Sequence, residues 1–144
     1  RITVAEGADE VDMVLDIGGL LSGDLAAVYD DILGVVGAAR PVPVKVILET
    51  SMLTDEQKTI ACLIAARTGA AYVKTSTGFG GGGATVEDIE LMRHMVGDKL
   101  GVKASGAVRN HRDAEKVLHA GADRIGASAS IAIIGGGDAG AAGY

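Results

Sequence analysis

Two lysines carry the most chemical information in this chain of 144 residues. Lys74 follows Ala71-Tyr72-Val73 and precedes Thr75-Ser76-Thr77-Gly78, and Lys103 follows Gly101-Val102 and precedes Ala104-Ser105-Gly106. Each ends a short apolar run that continues into hydroxyls and glycine. Desolvating an ammonium inside an apolar strand is costly, so such a lysine is paired, reaches solvent along its stem, or is functional. If the two strands are neighbours and both lysines face inward, the second cation disfavours protonation of the first and lowers the pKa of Lys74. An amine of lowered pKa is a Schiff-base nucleophile at neutral pH. The alternative is two strand-end lysines that reach solvent. Asp12, inside the apolar stretch 10–17, is the third candidate. It is either a general acid/base beside the lysines or a structural partner for one of them. Asp16 reads as loop-proximal and structural, and Lys45 and Glu49 as supporting inward contacts.

The elements that must position these residues follow a repeating pattern. Residues 1–6 read as the last turn of a helix stopped by Gly7. Residues 10–17 read as a strand closed by Gly18-Gly19, with Asp12, Val14 and Asp16 on one face. Residues 22–39 read as a helix with Leu25, Val28, Ile32 and Val35/Val36 as its buried stripe. VKVILET (44–50) is apolar on both faces, as in a covered parallel strand. Thr54 and Gln57 form a capping box for a helix running to about Thr68. The Lys74 strand and a glycine loop at 80–83 come next. A helix capped by Thr85 then runs to Val96, followed by the Lys103 strand at 100–106. A helix capped by Asn110, a short strand at 124–128 and a short helix at 130–134 complete the pattern. Strands alternating with helices predict an α/β fold with a parallel sheet of five strands. Polar residues gather near the C-terminal ends of these strands, where a (βα) barrel builds its site, as an open doubly wound sheet also does. Residues 1–137 read as a partial barrel domain and 138–144 as a flexible tail.

Composition excludes several classes. With 48% hydrophobic and 22% charged residues the chain is globular, and a net charge of −6 shows no basic face for nucleic acid or an anionic membrane. Backbone N–H groups can still hold a small anion. The glycines at 78–83 form neither a P-loop nor a dinucleotide fingerprint. Gly106-Ala107-Val108-Arg109 and Gly126-Ala127-Ser128 follow the last two strands, where barrels commonly hold phosphate; ordinary turns are the alternative. Cys62 is alone, so neither a disulfide nor a cysteine metal cluster is expected, and His94, His111 and His119 lack ligand spacing. No cofactor or metal is expected, and a cytoplasmic setting fits the lone cysteine and the lack of a signal or membrane-spanning run. The chain opens at Arg1 without an initiator Met or a helix start, which leads to the expectation that an N-terminal portion is missing.

Taken together, GADEVDMVLDIG (7–18), VKVILET (44–50), YVKTSTGFGGGGAT (72–85), GVKASGAVR (101–109) and RIGAS (124–128) resemble deoxyribose-phosphate aldolase, a class I aldolase family. The resemblance covers nearly the whole chain in order. It implies a (βα)8 TIM barrel, of which these strands would be the fourth to eighth. It also implies a cofactor-free lyase of carbohydrate catabolism. Such an enzyme reversibly cleaves 2-deoxy-D-ribose 5-phosphate to D-glyceraldehyde 3-phosphate and acetaldehyde. The implied roles are imine formation by Lys74, perturbation of that amine and proton relay by Lys103, and general acid/base work by Asp12. Tyr144 would be a terminal tyrosine that assists proton transfer. Phosphate would be held by backbone groups at Gly106, Ala107, Gly126 and Ser128, with the loop at Gly78 over the substrate. The implied partner is a small phosphorylated sugar, with no nucleic acid and no membrane. An open five-stranded piece leaves two unpaired edges, so self-association or complementation by the missing strands is expected. Two positions depart from the family: Gly106-Ala107 stands where Gly-Gly is usual, and Ser128-Ala129 where Ser-Ser is frequent. An added methyl crowds a phosphate, and a lost hydroxyl removes a donor. A non-catalytic fragment or assembly module, or another lysine aldolase on phosphorylated sugars, are the alternative readings.

Overall fold

The computed structural model describes residues 1–136; the remaining C-terminal residues, which hold the expected tail and Tyr144, lie outside them. Five strands form one all-parallel sheet in sequential order. They are β1 (Val11–Val14), β2 (Val44–Ile47), β3 (Tyr72–Lys74), β4 (Gly101–Ser105) and β5 (Arg124–Gly126). The helices are α1 (Ile2–Ala5), α2 (Ile17–Ser22), α3 (Leu25–Ala39), α4 (Asp55–Thr68), α5 (Val86–Val96), α6 (His111–His119) and α7 (Ser130–Ile134). The expected α/β architecture of barrel type is the one the chain adopts.

The strands are two-faced because their side chains alternate. Val46, Val73 and Val102 are register neighbours and fully buried. They share one core with Val28 and Ile32 of α3, Ala61 and Ala65 of α4, and Ile89 and Met92 of α5. Cys62 lies in the same core, and burial pushes its thiol up to about 12. The opposite face carries Asp12, Lys45, Tyr72, Lys74, Lys103 and Arg124. That face is concave. Arg124 Nη1 donates to both carboxylate oxygens of Glu10 at 2.7 and 2.8 Å, although Glu10 precedes one edge strand and Arg124 opens the other. Five flat strands at about 4.8 Å spacing would hold those edges about 19 Å apart, so the contact requires a sheet curled as in a barrel wall.

The boundaries follow local chemistry. The Thr54–Gln57 capping box is formed, Gly69 ends α4 in the left-handed region, and Thr85 and Asn110 cap α5 and α6. The N-terminal third departs from the sequence reading. β1 ends at Val14 rather than continuing to residue 17, and Asp16 does not share its face. Asp16 instead caps α2, accepting from Gly19 N–H at 3.0 Å. A Cβ on Gly19 would lie 2.7 Å from Asp16 Oδ2, so the glycine that reads as a strand stop is what lets the cap approach. The helix expected over 22–39 begins at Leu25 behind the Asp24 cap, because Ser22 ends α2 and Gly23 (φ 83) separates the two; Leu25, expected in the buried stripe, is exposed. No helix among the described residues is long and apolar enough to cross a membrane.

Candidate active site

The concave face is organised by charge. Lys45 is 3% exposed, and its ammonium sits between Glu10 Oε2 at 2.6 Å and Asp12 Oδ1 at 3.1 Å. The other oxygen of Asp12 accepts from Lys74 Nζ at 2.8 Å. Asp12 thus bridges a buried lysine of β2 and the strand-end lysine of β3. Register explains the reach: Asp12 is level with Lys45, and Lys74 is level with Ile47, one inward-facing step further along. Asp12 therefore lies in the layer beneath Lys74, not at a strand end as the sequence reading has it. Lys103 is the direct register neighbour of Lys74, so both lysines face the same side. The guanidinium of Arg124 stacks 4.7 Å over the Tyr72 ring, and that ring covers Gly101, where a Cβ would lie 2.0 Å from it.

Sequence reasoning singled out Asp12, Lys74 and Lys103 but missed the part played by Glu10 and Arg124. The signal was present for Glu10, two residues before Asp12 and hence on the same strand face. It was absent for Arg124, whose partner is defined only by curvature.

Each charge responds to its neighbours. Burial acts to raise the Asp12 carboxyl, but hydrogen bonds from Lys74 and Lys45 together outweigh it and hold the carboxyl below its ordinary value. Burial also pulls Lys45 down, and the hydrogen bonds to Glu10 and Asp12 overcome it, so this ammonium is held above its ordinary value. Lys103 goes the other way, lowered first by burial and then by the cation of Lys74. The structure thus gives Lys103 a lowered amine, and Lys74 holds Asp12.

A carboxyl lowered by folding contributes stability that is complete above its unfolded value, about pH 4, and lost as pH falls through the folded value. Thermal melts should therefore lose Tm below about pH 4, and Asp12→Asn should flatten that acid limb while lowering Tm at neutral pH. An acid limb as steep in Asp12→Asn as in the wild type would contradict the bridging role.

Beside the two lysines lies a cleft of about 410 Å³. Every residue expected to hold phosphate (Gly78, Gly106, Ala107, Gly126 and Ser128) lines it together with Lys74 and Lys103. Arg109, the last residue of the 106–109 turn, lines it too. Tyr144 lies outside the described residues, so the structure does not place it. Among the described residues no group of three His, Cys, Asp or Glu is placed to hold a metal ion.

Comparison with known proteins bears on this arrangement. The chain is 57% identical over 140 residues to the deoxyribose-phosphate aldolase of Rhodospirillum rubrum, covering 97% of this chain and 59% of that protein. It is 54% identical over 144 residues to the enzyme of that name from Brevibacillus brevis, covering all of this chain and 65% of that protein. The chain belongs to the deoxyribose-phosphate aldolase family. It spans about 60% of the length of these relatives. A crystal structure from Coccidioides immitis, assigned as a deoxyribose-phosphate aldolase, superposes with a TM-score of 0.89 at 41% identity, over 92% of this chain and 53% of that one. No protein-family model matches the chain.

Ala107 adopts φ 60, the left-handed region, where a Cβ is disfavoured. Gly83 passes so close that a Cβ on it would lie 2.6 Å from the Ala107 methyl. Ala107→Gly removes the strain and adds unfolded-state entropy, for a net gain of about 0.5 kcal/mol. The expected result is a Tm raised by a few degrees; a lower Tm would show that the methyl packs favourably.

Proposed function

We propose that this chain carries the imine-forming site of an aldolase acting on 2-deoxy-D-ribose 5-phosphate. The observation that carries the reading is the Lys74–Asp12 contact at 2.8 Å with Lys103 at the neighbouring register position. The family supplies the substrate, and the polar cleft beside the lysines, with Arg109 and the turns at 106–107 and 126–128, supports a phosphorylated one.

In this reading Lys103, the amine lowered by burial and by Lys74, takes a proton from the Lys74 ammonium. The freed Lys74 amine adds to the substrate carbonyl carbon, and loss of water from the carbinolamine leaves the protonated imine. Removal of the proton from the hydroxyl on the far carbon of the bond to be broken turns that carbon into an aldehyde as the carbon–carbon bond cleaves. Glyceraldehyde 3-phosphate departs, and the electron pair passes into the imine to give an enamine. Protonation of the enamine and hydrolysis release acetaldehyde and restore Lys74. Asp12, hydrogen-bonded to Lys74, exchanges protons at the carbinolamine stage. Tyr144 is proposed to assist enamine protonation. The cytoplasm is the proposed setting. Supplying acetaldehyde and glyceraldehyde 3-phosphate and detecting deoxyribose 5-phosphate tests the reading; a full-length relative that makes the product where this chain makes none would overturn it for the chain.

One observation favours a second reading, that the chain works as an assembly unit. Among the described residues β1 and β5 each pair with a single strand, and an unpaired edge recruits another. Native mass measurement separates the two: an active monomer opposes assembly, and a self-associated or complemented species supports it.

A further inference from the structure

Glu49 is 4% exposed, and its backbone is left-handed at φ 56 and ψ 60, a conformation disfavoured for any residue with a Cβ. From the end of β2 its carboxylate reaches the turn after Lys74. Oε2 accepts from the Thr77 hydroxyl at 2.6 Å and from the Thr77 N–H at 3.2 Å. The Thr77 hydroxyl oxygen accepts in turn from the Phe79 N–H at 3.0 Å. One carboxylate oxygen therefore anchors a relay that runs through the whole turn. The glycine loop passes directly against it: a Cβ on Gly80 would lie 2.8 Å from Glu49 Cδ. Oε1 is buried without a donor among the described residues, a penalty the fold accepts to keep Oε2 in place. Thr77 and Gly78 line the cleft with Lys74, and the Gly78 N–H has no acceptor among the described residues.

We propose that Glu49 is a positioning residue: it fixes the Thr77-Gly78 turn so that the free Gly78 N–H serves as a donor to a phosphate-type anion, and thereby sets affinity for that anion. The inference rests on the reading that the cleft takes a phosphorylated substrate. Glu49 makes no hydrogen bond or ion pair with Lys74 or Lys103, so it acts on binding and not on the imine.

Titration of the whole chain with inorganic phosphate, followed by the Gly78 amide resonance, gives a Kd that needs no turnover. The expected result is saturable binding by the wild type, a Kd about tenfold weaker in Glu49→Ala, and recovery to within about threefold in Glu49→Gln, whose amide oxygen still accepts. Should Glu49→Ala fail to fold, Thr77→Val removes the hydroxyl alone and should weaken the Kd several-fold. An unchanged Kd in Glu49→Ala (or, where that variant does not fold, in Thr77→Val), a Glu49→Gln no better than Glu49→Ala, or a wild type that binds no phosphate would each overturn the proposal. Imine trapping with acetaldehyde, scored separately, tells the two readings apart. Phosphate binding that responds to Glu49 without an imine leaves the positioning role standing and removes the aldolase reading. An imine with a phosphate Kd indifferent to Glu49 does the reverse.

Discussion

Lys74→Met is expected to abolish turnover of deoxyribose 5-phosphate, by at least about a thousandfold or about 4 kcal/mol of transition-state stabilisation. The substitution keeps the apolar stem and removes only the nucleophile, so binding through the cleft should survive with a KM close to wild type in any residual activity. It also removes one of the two hydrogen bonds that steady Asp12. Lys45 retains the other, so the fold should hold with a modestly lower Tm. Steady-state kinetics and a thermal melt together check both halves. Retained activity would place the imine elsewhere, with Lys103 the first candidate because burial and the neighbouring cation lower its amine.

Lys103→Met separates chemistry from stability. Its amine is lowered by burial first and by Lys74 second, so the folded state holds this proton less readily than the unfolded chain does. Stability then rises with pH between the folded and unfolded values, and protonated Lys103 is a net burden below them. Replacing it with methionine removes that burden and should leave stability at neutral pH equal to or above wild type, by no more than about 1 kcal/mol once solvent screening is allowed for. Imine formation at Lys74 should nevertheless slow by about a hundredfold at neutral pH, the ordinary worth of a positioned base. The pH–rate profile should lose the limb that Lys103 contributes. A variant that is both less stable and unchanged in its pH profile would reduce Lys103 to a structural residue. Stability gained as activity is lost is the pattern of a strained functional site.

How far the sequence disclosed this site can be seen residue by residue. Lys74 and Lys103 were legible as a pair because both end apolar strands, and register confirms them as neighbours. Asp12 was legible by residue type, yet its level was not, because the sheet's stagger decides which inward-facing layer a strand residue occupies. The caps at Thr54, Thr85 and Asn110 were legible because capping is local chemistry. Asp16 was legible as loop-proximal and structural, but the strand was carried past it because two glycines look like a stop, whereas here the second admits a cap too close for any Cβ. The Glu10–Arg124 clamp joins residues 114 apart in sequence, and no local pattern encodes it. Glu49 was visible as a strand-end carboxylate, but its left-handed backbone, which brings it to Thr77, was not.

The most direct test of the account is covalent. Acetaldehyde and borohydride added to the whole chain should reduce an imine to a stable secondary amine, and peptide mapping should find it on Lys74. The account predicts modification of Lys74 in the wild type, less in Lys103→Met, and none at that position in Lys74→Met. Modification of Lys103 in place of Lys74, or no modification even when the edges of the sheet are complemented by the remaining strands of a relative, would contradict it.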